Sequence, residues 1–268
     1  MHDVSAEIVI THEPSDGACA RAAALAAAIG HHEGRSTGSS DRATITVHVT
    51  EAQILLRDDE HRGRGGVGVD WVETASTAPS PQILRGQPLL HAIGKGCEHV
   101  TDATGGLGHD ALLMALAGVQ VTIIERIELL AAMLEDELER LRRSEHGAVA
   151  QRLSVRRGDA RTILHTTDAR CIYLDPMYPE KRRSSALPPK RIRLVRLLAG
   201  ESDDGHELLA SALGGGAERV VVKRPHHAPP LEGPPPGGVI RSKLVRYDLY
   251  FPHPALLRGE DERRGPGV

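Results

Sequence analysis

The chain has 268 residues, a formal net charge of −3, and few aromatic residues: one tryptophan, four tyrosines and one phenylalanine. This length can bury a large core without disulfide bonds, and the charge excludes a protein that is basic throughout, although a local basic face could still bind a polyanion. The three cysteines are scattered, and no apolar run reaches the eighteen residues of a membrane span. We therefore expect a soluble cytoplasmic protein without a signal peptide.

The first part of the chain predicts a small α+β domain. The segments AEIVIT, ATITVHVT and AQILLRD have the alternation of strands, and ACARAAALAAAIG is typical of an alanine-rich helix closed by Gly30. The next segments, RGRGGVGVDWV and TASTAPSPQ, are loop-like and indicate a linker. We place this N-terminal domain and its linker at residues 1–80.

Strands and helices alternate from residue 81 onward. Strands are predicted in EHVTDAT, VQVTIIE, RLSVRRGDA, CIYLDP and ERVVVKRP, and helices in DALLMALAG and ELLAAMLEDELERLRR. This order predicts an α/β fold with a mostly parallel sheet and helices on both faces, closed by an antiparallel hairpin of GVIRSKL and VRYDLYF. The domain is expected to span residues 81–252, and the charged tail, 253–268, is predicted to be disordered.

The segment VTDATGGLGHD carries the first chemical motif. It follows a predicted strand and opens a helix, and Gly105, Gly106 and Gly108 would let a ligand approach the backbone closely. The strand ends in Asp102, and the D-x-x-x-G-x-G spacing is associated with binding of S-adenosylmethionine (AdoMet). The alternative is that the glycines serve only tight packing between strand and helix.

Two further strands end in acids that suit an adenosine. Glu125 ends VQVTIIE, the position that accepts hydrogen bonds from ribose hydroxyls in nucleoside-binding sheets. Asp159, in the GDA of Gly158 to Ala160, could accept from an adenine amino group. Three successive strand ends therefore predict a nucleoside site.

The stretch CIYLDPMYP ends a fourth strand and predicts the catalytic loop. The lone pair of a base's exocyclic nitrogen is delocalised into the ring, which makes it a poor nucleophile. The Asp175 carboxylate and the Pro176 carbonyl could accept its two hydrogens and turn the lone pair toward a methyl donor. Tyr178 would stack on the base and fix its plane.

The chain resembles the bacterial RsmJ family of small-subunit ribosomal RNA (guanine-N2)-methyltransferases in DATGGLGHD, IIER, IYLDPMYP, KRRSSALPPKRIR and RVVVKRPHHAPPL. The resemblance implies a Rossmann-like class I methyltransferase sheet beside a small N-terminal domain, and methylation of a guanosine near the 3′ end of 16S rRNA. By position it implies AdoMet contacts at His109, Asp110, Glu125, Arg126, Asp159, Ala160 and Asp175. The family usually has Arg at the position of His109, and GGGRG where this chain has PQILRG.

A basic segment follows the predicted catalytic loop. It contains seven cations and no acid: Lys181, Arg182, Arg183, Lys190, Arg191, Arg193 and Arg196. Such a cluster would hold the phosphates around a target base, or would be a solvated helix face. Lys223 and Arg224, at the end of another strand, would contact RNA or pair with acids at the same edge of the sheet.

These patterns predict an AdoMet-dependent methyltransferase that acts on the exocyclic N2 amine of a guanosine in 16S rRNA or the small ribosomal subunit. Transfer would be direct, because no cysteine lies in the loop. Adenine or a protein amide would suit the same chemistry, and a non-catalytic RNA-binding protein of this fold is a second class. No metal is predicted, since His226 and His227 lack a third ligand at metal spacing.

Overall fold

The computed structural model describes residues 6–30, 43–58, 65–167, 169–178, 190–200 and 204–252. The N-terminal region contains strands β1 (Ala6–His12), β2 (Ala43–Val49) and β3 (Ile54–Asp58), with helix α1 (Asp16–Ala28) after the first. β2 lies in the middle of this sheet, parallel to β1 and antiparallel to β3. The strands and the helix predicted for this region are all confirmed.

Local sequence explains how α1 begins and which face of the small sheet is buried. The Ser15 side chain accepts a hydrogen bond from the Ala18 backbone N–H at 3.2 Å and so caps the first turn. Ile45 and Val47 of β2 are buried on one face of the sheet, as the two-residue period of a strand requires. They share one apolar core with Leu25 of α1 and with the large domain.

The prediction of a loop-like linker is wrong in part, because this segment contains short helices. These are α2 (Trp71–Ser76) and α3 (Pro81–Arg85), and α4 (Pro88–Ile93) follows them. Pro81 sits in the first turn of α3, where a missing N–H costs nothing. Trp71 is fully buried, and its indole N–H donates to the Leu107 carbonyl at 3.3 Å. Burial of such side chains stabilises helices that are too short to form alone.

The second sheet has seven strands. They are β4 (His99–Asp102), β5 (Gln120–Glu125), β6 (Leu153–Arg157), β7 (Cys171–Leu174), β8 (Arg219–Pro225), β9 (Gly238–Arg241) and β10 (Val245–Tyr250). Their spatial order is β6-β5-β4-β7-β8-β10-β9. The first five of these are mutually parallel, and β10 pairs antiparallel with both β8 and β9. The predicted fold and its antiparallel closing hairpin are confirmed.

Helices cover both faces of the large sheet. They are α5 (His109–Leu116), α6 (Glu128–Arg143), α7 (Gly147–Ala150), α8 (Ala160–Ile163), α9 (Lys190–Ala199) and α10 (Gly205–Gly214). Tyr173 of β7 packs into the same core as Leu130 of α6, while its neighbour Leu174 packs into a second core with Leu209 of α10. Successive strand residues thus fill opposite layers, which explains the continuous apolar character of the central strands.

The order of the strands creates a crevice between β4 and β7. The chain runs outward from β4 through β5 to β6, and then returns to place β7 on the other side of β4. Ligands of open α/β sheets bind beyond the carboxyl ends of the strands at such a reversal. Asp102 and Asp175, which end these two strands, therefore lie on opposite sides of the crevice.

The division of the chain at residue 80 stays a prediction, and the tail predicted at 253–268 lies outside the described residues. Arg21 of α1 pairs with Asp136 of α6 at 2.6 Å, so the N-terminal region also contacts the large domain through an ion pair. None of the helices within the described ranges is long and apolar enough to cross a membrane.

Candidate active site

A cavity of about 510 Å³ opens at the carboxyl edge of the seven-stranded sheet. This volume is in the range of roughly 300–1,000 Å³ that small-molecule sites occupy. All the residues predicted to contact AdoMet line it: Asp102, Gly105, Gly106, Gly108, His109, Asp110, Glu125, Arg126, Asp159, Ala160 and Asp175. The structure thus brings together residues from four strand ends and one helix start.

The three glycines of the turn after β4 have different reasons to be glycine. A Cβ atom on Gly105 would lie 2.7 Å from Ile123, and one on Gly108 would lie 2.4 Å from the Trp71 ring. These two glycines permit close packing, which is the alternative left open by the sequence. Gly106 has φ +53°, and a Cβ there would have no neighbour nearer than 3.8 Å. Close approach of a ligand to the backbone is therefore possible at Gly106.

Asp102 is an almost fully buried acid, with 2% of its surface exposed. Its Oδ1 accepts from the Thr104 backbone N–H at 3.0 Å and from the Thr104 hydroxyl at 3.2 Å. Burial raises the pKa of Asp102 to about 7, and the charges of Asp110 and Asp175 contribute in the same direction. The protonation state of Asp102 therefore changes near neutral pH.

Glu125 is held by two backbone donors at the end of β5. Its Oε2 accepts from the Gly106 N–H at 2.6 Å, and its Oε1 accepts from the Ile127 N–H at 2.8 Å. Burial raises the pKa of Glu125, and these N–H groups act against the rise. Each oxygen has a second lone pair, so the carboxylate can still accept from a ribose hydroxyl.

The third predicted acid, Asp159, already has a cation beside it. Asp159 caps α8 by accepting from the Arg161 N–H at 2.9 Å, and the Arg161 Nη2 donates to its Oδ2 at 2.6 Å. The Arg161 side chain holds the pKa of Asp159 below its ordinary value. Arg126, which precedes α6, forms an ion pair with Asp204 across the cavity wall.

Asp175 belongs to a charged cluster that links β4, β7, β8 and α5. Its backbone N–H donates to the Thr104 hydroxyl at 2.7 Å. Lys223 of β8 donates to the Asp175 Oδ2 at 2.9 Å and to the Asp110 Oδ2 at 2.7 Å. The Tyr173 hydroxyl donates to the same Asp110 oxygen at 2.5 Å. Thr104 therefore holds the backbone of Asp175, and Lys223 holds its carboxylate.

Opposing influences set the ionisation of Asp175. Although 42% of its side chain is accessible from the cavity edge, desolvation by the surrounding protein raises the pKa of the carboxyl. Lys223 acts in the opposite direction by its charge and its hydrogen bond, while the charge of Asp110 adds to the rise. The Lys223 ammonium is thus the main group that favours an ionised Asp175.

The other two residues of the predicted catalytic loop lie differently. Pro176 is buried and lines the cavity. Tyr178 is not part of the cavity lining. The Arg224 guanidinium lies over its ring, 4.7 Å from the centroid, and His227 contacts the ring edge-on at 5.8 Å. One face of Tyr178 is therefore covered by a cation, and its stacking role stays a prediction.

Some of the predicted RNA-binding residues lie outside the described residues, and most of the others have partners within the protein. Lys181, Arg182 and Arg183 lie outside the described residues, and Arg193 lies on α9. Lys190 donates to the Gly65 carbonyl at 2.9 Å, and Arg191 hydrogen-bonds to His109 in the cavity wall. Arg224 is 4% exposed and donates to the Pro229 carbonyl. Lys223 pairs with acids, as in the alternative reading of its role, and contact with RNA stays a prediction.

Sequence reasoning missed Thr104 and Tyr173, which connect the acids of the site, and it left open whether Lys223 pairs with acids without naming Asp175 and Asp110 as the partners. A signal for the pair did exist in the sequence. Asp175 follows the apolar run of β7 and Lys223 follows that of β8, and the register pairs Leu174 with Val222. Residues that end neighbouring parallel strands lie side by side.

Comparison with known proteins agrees with this geometry. A family model described as "Putative SAM-dependent methyltransferase" matches residues 34–252. Ribosomal RNA small subunit methyltransferase J of Pseudomonas aeruginosa strain LESB58 is 39% identical over 235 residues, which cover 84% of this chain and 89% of the relative. The chain belongs to this methyltransferase J family. The relative of the same name from Nitrosococcus oceani is 42% identical over 221 residues, which cover 79% of this chain and 86% of that protein.

A solved structure supports the fold of this methyltransferase J family member. The crystal structure of a SAM-dependent methyltransferase from Neisseria gonorrhoeae matches with a TM-score of 0.65 and 26% identity. It covers 97% of this chain and 100% of that one. The cofactor of the chain is thus AdoMet, and the chain is an AdoMet-dependent rRNA methyltransferase.

The cavity has the donor and acceptor chemistry that AdoMet needs. Asp102, Glu125 and Asp159 supply acceptors for amino and hydroxyl groups, and Ile127 and Leu130 supply apolar wall. Within the described ranges, no three His, Cys, Asp or Glu side chains are grouped so that they could hold a metal ion.

Proposed function

We propose that this methyltransferase transfers a methyl group to the exocyclic N2 amine of a guanosine in 16S rRNA. One observation carries the proposal: Asp175 and Pro176, directly after β7, lie in the wall of the cavity that the acids predicted to bind AdoMet also line. An acceptor for amino hydrogens beside the predicted cofactor site supports this transfer. The names of the relatives support small-subunit rRNA as the substrate class.

AdoMet supplies the methyl group as an electrophile when it is bound. Asp102, Glu125 and Asp159, with the backbone at Gly106, would hold it beyond the ends of β4, β5 and β6. Glu125 keeps its orientation because two backbone N–H groups bind its two oxygens. The binding half of the cavity is thus preorganised, which reduces the cost of ordering it on binding.

Asp175 and Pro176 prepare the nitrogen. The Asp175 carboxylate and the Pro176 carbonyl accept the two amino hydrogens, so that the nitrogen lone pair turns out of conjugation toward the methyl donor. The Asp175 backbone N–H is tied to Thr104, and its carboxylate is tied to Lys223, so neither has to move during the reaction. Transfer to nitrogen is direct, with no covalent enzyme intermediate.

The guanosine has to leave its stack to reach Asp175, which costs a few kcal/mol. The basic segment from Lys181 to Arg196 lies directly after the catalytic loop in the chain, and its cations would compensate this cost through contacts with flanking phosphates. The substrate is either free 16S rRNA or the assembled small subunit.

The test is mass spectrometry of nucleosides. Purified protein is incubated with isotope-labelled AdoMet and either small-subunit rRNA or isolated subunits from cells that lack the gene. We expect labelled N2-methylguanosine at one position that is unmodified in those cells. Labelled N6-methyladenosine, or label in ribosomal protein, would refute the guanine assignment. Calorimetry that shows no AdoMet binding would instead favour a non-catalytic RNA-binding protein.

A further inference from the structure

Lys223 lies between the carboxylates of Asp175 and Asp110. We call the part of the cavity that contains these three residues its catalytic half. Its Nζ is 2.9 Å from the Asp175 Oδ2 and 2.7 Å from the Asp110 Oδ2. The side chain is 23% exposed, and it lines the cavity. A half-buried ammonium with two carboxylate partners is held in one place, unlike a surface lysine.

The fold fixes this arrangement from three elements. The parallel register of β7 and β8 pairs Leu174 with Val222, so Asp175, directly after β7, lies beside Lys223 of β8. Asp110, in the first turn of α5, receives the Tyr173 hydroxyl at 2.5 Å on the same oxygen that binds Lys223. Tyr173 thereby fixes Asp110, and Asp110 fixes the position of the ammonium.

We propose that Lys223 is a positioning residue for methyl transfer, which keeps the Asp175 carboxylate ionised and fixed in orientation toward the substrate amine. This inference rests on the proposed function, because it assigns Asp175 to the reacting nitrogen. A protonated Asp175 would lose acceptor capacity just where the amino hydrogens need it. The hydrogen bond of Lys223 to Oδ2 restricts rotation of the carboxylate as well.

Several other charged or titratable groups influence Asp175. Arg224 of β8 acts with Lys223, while Asp110 of α5 acts against it. Three more titratable groups are close enough to feel its charge: Asp102 of β4, Tyr173 of β7 and Tyr247 of β10. Desolvation raises the pKa of Asp175, and Lys223 is the strongest group that lowers it. Loss of Lys223 would therefore raise the pKa of Asp175 further.

The central experiment is the pH profile of kcat/KM for Lys223→Met and Lys223→Arg. Removal of an opposite charge at this distance shifts a carboxyl pKa by about 1–3 units. We expect the acidic limb of the Lys223→Met profile to move upward by about that amount, with activity partly recovered at high pH. Lys223→Arg keeps the charge, so its acidic limb should stay near that of the wild type.

Asp110→Asn provides a shift of opposite sign. The charge of Asp110 raises the pKa of Asp175, so its removal should move the acidic limb to lower pH, whatever the loss of overall activity. Damage to the fold would lower the whole profile and could not move the limb in opposite directions in two variants. Lys95→Met, the same substitution at an exposed position in the turn before β4, is the matched control.

A second measurement needs no RNA. Carbon NMR of aspartate-labelled protein, with the Asp175 signal assigned by Asp175→Asn, should show a higher pKa of Asp175 in Lys223→Met. If the NMR shift appears but the wild type transfers no methyl to rRNA, the proposed function fails while the electrostatic role of Lys223 stands. Unchanged limbs and an unchanged Asp175 titration in Lys223→Met would overturn the inference.

Discussion

The two halves of the cavity hold their carboxylates by different means. At the ends of β4 and β5, Asp102 and Glu125 are bound mainly by backbone N–H groups, which carry no net charge. At the ends of β7 and β8, Asp175 shares the Lys223 ammonium with Asp110. Among the described residues, Asp102 and Glu125 thus have neutral donors, whereas one ammonium bridges Asp175 and Asp110. Asp159, at the end of β6, differs from Asp102 and Glu125 because Arg161 forms an ion pair with it.

This difference has a chemical consequence. Neutral donors do not offset full burial, so burial raises the pKa of Asp102 to about 7 and raises that of Glu125 as well. Burial also raises the pKa of Asp175, but the adjacent Lys223 ammonium acts against this rise and favours the ionised form. We infer that the first half is built to bind a cofactor by hydrogen bonds, and the second to act on a substrate nitrogen.

Replacement of Asp175 should give the largest difference between the effect on turnover and the effect on AdoMet binding. Asp175→Ala removes the acceptor for the amino hydrogen, and loss of one preorganised group of this kind costs about 10²–10³-fold in kcat. AdoMet affinity, measured by calorimetry, should change far less. The exposed Asp16→Ala in α1 is a control. Near-normal turnover of Asp175→Ala would exclude the amino-orienting mechanism.

Replacement of Glu125 should give the converse result. Glu125→Ala leaves the Gly106 and Ile127 N–H groups and a ribose hydroxyl without an acceptor, which costs about 1–3 kcal/mol, or about 5- to 150-fold in AdoMet affinity. The kcat at saturating AdoMet should fall much less than in Asp175→Ala. Glu139→Ala, on the exposed side of α6, is the matched control. Unchanged AdoMet affinity in folded Glu125→Ala would refute the ribose role.

Variants of the basic segment test whether RNA binds beside the catalytic half of the cavity. Each phosphate contact contributes about 0.7–0.9 units to the slope of log affinity against log salt, so Arg182→Ala with Arg183→Ala should flatten the slope by about 1.4–1.8 units. Filter binding to rRNA at several salt concentrations measures this, with Lys95→Ala as control. An unaltered slope and full activity would show that RNA is gripped elsewhere.

Arg191 needs a variant of its own. It lies in the cavity wall and hydrogen-bonds to His109, so its loss should alter AdoMet affinity, whereas the double variant of Arg182 and Arg183 should not. Equal AdoMet affinities of Arg191→Ala and the wild type would show that this side chain does not contribute to AdoMet binding.

Asp102 should make stability depend on pH. Its pKa is about 7 in the folded chain and about 3.8 when unfolded, so the folded chain binds more protons between these values. Stability is therefore lost as pH rises from about 4 to about 7, and the full cost applies above that window. Asp102→Asn keeps the acceptor for the Thr104 N–H and removes the cost.

This titration costs the wild type about 1.4 kcal/mol per pH unit between pH 5 and pH 7, so we expect the melting temperature of the Asn variant relative to the wild type to rise by about 5–10 °C from pH 5 to pH 8. Differential scanning calorimetry without AdoMet measures the difference. A constant difference in melting temperature across this pH range would show that Asp102 does not titrate near neutrality.

The sequence predicted the strands of the large domain and its helices α5 and α6 closely because the signals for them are local, whereas α7, α8 and α10 were not predicted. ELLAAMLEDELERLRR predicted α6, and Glu128–Arg143 forms it. The prediction of a loop-like linker failed because α2 and α3 have only six and five residues. Whether such short segments are helical depends on the tertiary burial of Trp71 and Leu84. The acids predicted at the strand ends all line the cavity, since parallel strands bring those ends to one edge.

The sequence by itself determined which acids stand at the strand ends, which turn carries the glycines, and which loop is stiffened by proline. Only the tertiary structure decided the partners of these groups. In the folded chain, Lys223 lies between Asp175 and Asp110. The Arg224 guanidinium lies over the Tyr178 ring, and Arg191 lines the cavity. The physical reason is that periodicity and turn chemistry act between neighbours in the chain, whereas ion pairs depend on strand order and register.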